Sequence, residues 1–161
     1  MATFSTQKAK ASWQGNYDTF GVGPGDGVRL VAIEIEPTAE QLVSGNIFNL
    51  LKVSANTSVI GGWIKTDTLD SHMTPTLDLD VGYYSDSITD DPNFFFEGGG
   101  AAASFAGNFI AGIGAAAAPL VDDDDYTIAV TLTGSAATGA DGTIYVYLLL
   151  ACNDSVNEAL V

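Results

Sequence analysis

The chain has 161 residues and a single cysteine, Cys152. That is long enough to bury about two-thirds of its unfolded surface as one domain without staples, and it excludes an intramolecular disulfide. Its 20 acidic against 5 basic residues give a formal net charge of -15 at pH 7, which repels phosphate backbones and anionic lipid heads and argues against nucleic acid and membrane as partners.

Residues 1–26 are polar, hold Lys8 and Lys10, and run into Gly21-Val-Gly-Pro-Gly-Asp-Gly27, a cluster that regular elements do not tolerate. An extended N-terminal arm is predicted. Trp13, Tyr17 and Phe20 are too many aromatics for a freely solvated tail, so the arm is expected to lie on its own domain or on a neighbour. The start lacks the charged and then apolar run of a secretory signal, and no stretch nears the roughly 18 apolar residues of a membrane span, so the chain reads as soluble as made.

From Gly27 to Glu36, Val31, Ile33 and Ile35 alternate with Ala32, Glu34 and Glu36 up to Pro37, which predicts a strand. Thr38 and Gln41 match a capping box but precede only one turn's worth of apolar residues, so a short helical turn or polar loop follows. Ile47 to Val53 and Ser58 to Thr66 read as neighbouring strands. Gly61-Gly62 inside the second predicts a bulge or close backbone approach beneath Trp63.

Thr76 to Tyr84 is the clearest stretch. Leu77, Leu79, Val81 and Tyr83 fall on one face, and Asp78 and Asp80 on the other. A helix would scatter the two aspartates about 200° apart and break the apolar stripe. After the acidic turn Ser85 to Pro92, the segment Asn93 to Gly107 reads as long and irregular, and Phe94, Phe95 and Phe96 within it require a cover that neighbouring subunits are expected to supply. Asn108 to Gly114 is a further candidate strand. Tyr126 to Thr133 alternates Ile128, Val130 and Leu132 with threonines and alanine. Gly134 to Gly142 reads as a hairpin connection, and Thr143 to Ala151, apolar on both faces, as a central last strand. The sum is an all-β, two-sheet β-sandwich, jelly-roll-like, with an N-terminal arm (1–26), a sandwich domain (27–152) and a C-terminal tail (153–161).

Chemical motifs are sparse. His72, the single histidine, stands near Asp70 in the manner of an oriented base, yet no G-x-S-x-G nucleophile accompanies it. Ser5 with Lys8 matches S-x-x-K without its companion motifs, and the Gly21 to Gly25 run follows no strand and opens no helix, which removes the phosphate-cradle reading. Asn56-Thr-Ser58 and Asn153-Asp-Ser155 fit the glycosylation sequon, which matters only in a secretory pathway. Asp122 to Asp125, with Asp86, Asp90 and Asp91, offers calcium-type oxygens but not EF-hand spacing, and reads rather as a solvated acidic loop. Cys152 ends an apolar strand as a small core residue. No catalytic, metal or cofactor set results, and an enzyme is disfavoured.

Met1-Ala-Thr, Val28 to Glu36, Ser58-Val-Ile-Gly-Gly-Trp-Ile-Lys65, Leu77-Asp-Leu-Asp-Val-Gly82, Asp125 to Gly134 and Gly142-Thr-Ile-Tyr-Val-Tyr147 together resemble small virion proteins of tailed bacteriophages, of the head decoration or cement type. The likeness spans roughly residues 25 to 150 and rests on strand patterns. It implies a non-enzymatic β-sandwich, made in the host cytoplasm, that assembles as a homotrimer on the exterior of a capsid and reinforces the major capsid protein lattice. Expected contact residues are Lys8, Lys10, Trp13, Tyr17 and Phe20 of the arm, together with Phe94, Phe95 and Phe96. The alternative is a carbohydrate-binding or host-adhesion module, with Trp13, Trp63 and the Tyr83-Tyr84 pair as stacking platforms.

Overall fold

A computed structural model describes residues 3–5, 26–53, 57–86, 89–98, 106–109 and 125–153. The strands are β1 (Thr3–Ser5), β2 (Asp26–Ile35), β3 (Ile47–Val53), β4 (Thr57–Thr66), β5 (Asp78–Ser85), β6 (Asp91–Phe96), β7 (Ala106–Phe109), β8 (Tyr126–Gly134) and β9 (Ile144–Asn153). The only helical piece among the described residues is a 3-10 turn, Ala39–Gln41, where the Thr38 N–H donates to Gln41 Oε1 at 2.9 Å.

The strands form two sheets, in the orders β1-β3-β8-β5-β6 and β2-β9-β4-β7. Apart from the short parallel pairing of β1 with β3, neighbours are antiparallel. The pairs nest: β5 with β6, β4 with β7, β3 with β8, β2 with β9. A long hairpin zipped in this way and then rolled, so that successive pairs fall in opposite sheets, is a jelly roll. The predicted all-β sandwich is therefore the fold, and β9 is central as expected.

The rolling also corrects three expectations. The chain changes sheet at each connection from β2 to β9 except β5 to β6, so β3 and β4 are not neighbours. Phe48, Leu50 and Val53 of β3 instead meet Val59 and Ile64 of β4 within one core cluster. Gly134 to Gly142 is no hairpin either, because β8 pairs with β3 and β5 while β9 pairs with β2 and β4. A strand with one apolar face buries it equally well beside its sequence neighbour or across from it, and here both connections cross over. Finally, Asn93 to Gly107 is not wholly irregular. Its aromatic start pairs with β5 as β6, where Pro92 is tolerated because β6 is an edge strand, and its end opens β7. Residues 110–114 of the candidate strand lie outside the described residues.

Inward faces follow the sequence alternation. Leu77, Leu79, Val81 and Tyr83 are all buried and belong to the same cluster as Ile33, Ile128, Val130, Leu132, Val146 and Leu148. The predicted bulge is present, since the β4 register with β9 shifts between Val59 and Gly61. At Gly82 the backbone of Asp91 and Pro92 approaches so closely that a Cβ has no room, which explains glycine at this crossing of β5 and β6. Gly45 (φ 89°) supplies the left-handed turn before β3.

Because Leu79 is 1% exposed, Leu79→Asp buries an unpaired charge and should cost several kcal/mol, about 3 or more. Thermal melting checks this, and a variant melting within a degree or two of the parent contradicts the face assignment.

Candidate functional site

The strongest polar construction is at one end of the sandwich. Asp70 lies between β4 and β5, fully buried, and its carboxylate collects backbone N–H donors from two crossover connections. Oδ2 accepts from Thr76 (2.9 Å), Leu77 (3.2 Å) and Ala137 (2.9 Å), and Oδ1 accepts from Thr138 (3.0 Å) and His72 (3.2 Å). Burial alone would raise this carboxyl. The N–H groups of Thr138, Ala137, Thr76 and His72 outweigh it and hold Asp70 well below the usual carboxylate range. Backbone bonds between Ser71 and Thr138 and between Ala140 and Leu69 extend the seam.

This geometry removes the Asp70–His72 base. Asp70 takes the main-chain N–H of His72, while the exposed ring makes its Nδ1 contacts with Thr74 at 3.0 Å. With its oxygens committed to amide donors, the carboxylate is a structural latch. The sequence signal missed was Asp followed by a turn and Pro75, the pattern of a side chain that caps loop amides.

A second carboxylate also departs from expectation. Asp80, placed on the outward face of β5, is only 7% exposed because the chain returns over it after β6, where the Gly98 N–H donates to Asp80 Oδ1 at 3.0 Å. Burial pushes its carboxyl up, opposed by the Gly98 bond and reinforced by the charges of Asp78 and Glu97.

The phenylalanine run divides. Phe95 is 4% exposed within its own chain, and Phe94 and Phe96 are partly buried against the core. Tyr83 meets Phe94 edge-on at 5.3 Å and Phe95 at 6.4 Å. Neighbouring subunits are thus not needed to cover Phe95. The cover is β5, because strand alternation brings Tyr83 under the run. Tyr83, being core, is also withdrawn as a stacking platform, and the Tyr84 hydroxyl is engaged with Thr131 Oγ1 at 2.8 Å.

Lys8, Lys10, Trp13, Tyr17, Phe20, the Gly21 to Gly25 run, Asn56 and Asp122 to Asp124 lie outside the described residues, as do the side chains of Ser5, Cys152 and Asn153 and the tail from residue 154. Asp125 forms an exposed ion pair with Lys52 at 2.8 Å. Among the described residues no group of three or more His, Cys, Asp or Glu side chains could hold a metal ion, and no helix is long and apolar enough to cross a membrane.

The outer face of the β2-β9-β4-β7 sheet carries Trp63, the one aromatic side chain among the described residues that is exposed. Register aligns three rows across β2, β9 and β4: Leu30, Leu149 and Gly61; then Ala32, Tyr147 and Trp63; then Glu34, Tyr145 and Lys65. Trp63 stacks on Tyr147 with centroids 4.8 Å apart and planes at 19°, and Lys65 Nζ stands 5.8 Å from the Tyr145 centroid. Trp63 was legible as a surface aromatic. The two tyrosines were hidden in a strand read as apolar on both faces, although their spacing of two already put them on the side opposite Val146.

No protein-family description and no curated protein matches the sequence. Solved structures match it in fold. A chain in the capsid asymmetric unit of cyanophage Pam1 superposes with a TM-score of 0.64 at 19% identity, over 86% of this chain and 94% of that one. A chain in the capsid of Ralstonia phage GP4 superposes with a TM-score of 0.66 at 22% identity, over 96% of this chain and 100% of that one. The likeness is one of fold.

Two pH-linked outcomes are expected. Asp70→Asn keeps the shape but turns one oxygen into a donor facing N–H groups, so it should cost about 3 kcal/mol or more at pH 7. The folded carboxyl pKa is depressed, so its contribution is complete above the ordinary value of 3.8 and fades as pH falls below that value. Melting curves at pH 7 and pH 3 should show the gap narrowing in acid, and equal stability at pH 7 would refute the latch. Asp80 has the opposite sign. Its raised pKa means the penalty is absent below the unfolded-state value and grows as pH rises through the folded one. Asp80→Asn should therefore melt higher at pH 7, with the advantage gone in acid; no gain at pH 7 contradicts the assignment.

Proposed function

We propose that this chain is a non-enzymatic virion structural protein that binds the outer surface of a bacteriophage capsid and reinforces it, a decoration or cement protein made in the host cytoplasm. The observation that carries the reading is the end-to-end match of the jelly roll to chains in two phage capsid structures, covering 94% and 100% of those chains. The sequence resemblance to head decoration proteins points the same way, and the latch at Asp70 is the kind of reinforcement a component outside the cell requires. The partner is the major capsid protein lattice, engaged as a homo-oligomer; the resemblance implies three copies. Neither nucleic acid nor membrane is a partner, given a net charge of -15.

The arm is the proposed anchor. Lys8 and Lys10 are two of the 5 basic residues, and in the sequence they fall between β1, which pairs with β3, and a glycine-rich stretch that leads to β2. Deleting residues 1–21 removes β1, a three-residue edge strand, and leaves the eight strands of the jelly roll intact, so the truncated protein should fold. Purified full-length and truncated proteins are added to undecorated heads, and occupancy and rupture temperature are measured. The full-length protein should bind and raise the rupture temperature, because a ligand of the intact lattice stabilises it by about 2.7 kcal/mol at a hundredfold excess over Kd. The truncated form should bind more weakly. Equal occupancy removes the arm from the account, and no binding by the full-length protein removes the decoration reading.

A further inference from the structure

We infer that the outer face of the β2-β9-β4-β7 sheet docks onto the same face of a second copy of this chain, around a two-fold axis running along β9. The argument is the complementarity of the three rows. Such an axis exchanges β2 and β4 while keeping each row level, so each β2 residue meets the β4 residue of its own row on the partner. Leu30, 49% exposed, then stands over the partner's Gly61, which is buried by its own chain and adds no side chain to the row, and Trp63, 37% exposed, over the partner's half-buried Ala32. In both rows a large side chain meets a small or absent one. In the third row Glu34 stands over the partner's Lys65, twice by symmetry, and Lys65 has no salt bridge within its own chain among the described residues.

Charge selects the occupant. Two chains of net charge -15 repel unless they meet through a locally neutral surface, with the remaining charge screened beyond about 8 Å at physiological salt. The three rows are neutral in sum, two uncharged and the third with one charge of each sign. Trp63, already stacked on Tyr147, gives up little rotamer freedom on being covered. Two sheets in this relation pack as aligned sheets do in a sandwich. A three-fold ring joins two unlike patches, so this contact is separate from trimer closure and from capsid binding, and takes from the proposed function only that copies associate.

Sedimentation of the 161-residue protein tests it, with circular dichroism to confirm folding of each variant. Lys65→Glu and Glu34→Lys should each halve the mass, because each opposes like charges across the axis, while the double variant should restore it. Trp63→Ser should also halve it. Single variants with the wild-type mass, or a double variant that does not recover, overturn the contact. A wild type whose Trp63 instead supports binding to an oligosaccharide array or to undecorated heads, with no change of mass on Trp63→Ser, assigns the face to that partner and overturns it too. Occupancy on heads is read separately, so either proposal can fail alone.

Discussion

A single buried carboxylate ties together two of the connections that cross between the sheets. Asp70 sits where the β4–β5 and β8–β9 connections meet, and both connections cross between the sheets. Hydrophobic burial glues the two inner faces but is non-directional, and it permits the sheets to slide. Five N–H bonds to one carboxylate are directional. Together with the buried Tyr126 hydroxyl, which donates to the Thr57 carbonyl from one sheet to the other at 2.9 Å, they add direction to the apolar interface, with loop amides taking the place of the water that the charge has lost.

That definition matters because the remaining features depend on register. The inner face is apolar only while Leu79, Val81, Val130 and Val146 stay opposed, and a one-residue slip would turn each strand inside out. The same register builds the outer face, where Trp63 lies beside Tyr147 and Lys65 beside Tyr145. A bulge between Val59 and Gly61 resets β4 so that the strand keeps its apolar side inward before and after it. Core, latch and surface are thus consequences of one pairing scheme.

The acidity of the chain is handled in two ways. Asp70 is neutralised by geometry and keeps its charge in the interior, whereas Asp80, with one N–H donor and acidic neighbours, is pushed toward its protonated form. The difference lies in the number of amide donors, since both side chains are buried. Much of the other described acid is at the surface, and the aromatic rows on the outer sheet are an uncharged window in it.

Alternation and the glycine pair by themselves determined the strands around Ile33, Leu79 and Ile128, their inward faces, an irregularity beside Gly61-Gly62 and the central place of Thr143 to Ala151, because a period of two and a glycine pair are local signals. It also led to the two-sheet class. It did not determine which strands sit side by side: β3 and β4, and β8 and β9, read as neighbours and lie in opposite sheets. Nor did it reveal that Tyr83 covers Phe95, that Gly98 buries Asp80, or that Asp70 serves loop amides, the His72 N–H among them, and not the His72 ring. Each of these is a contact between residues far apart in the chain or a choice between local donors. An apolar face specifies that it must be covered, and only the closing of the roll decides by what.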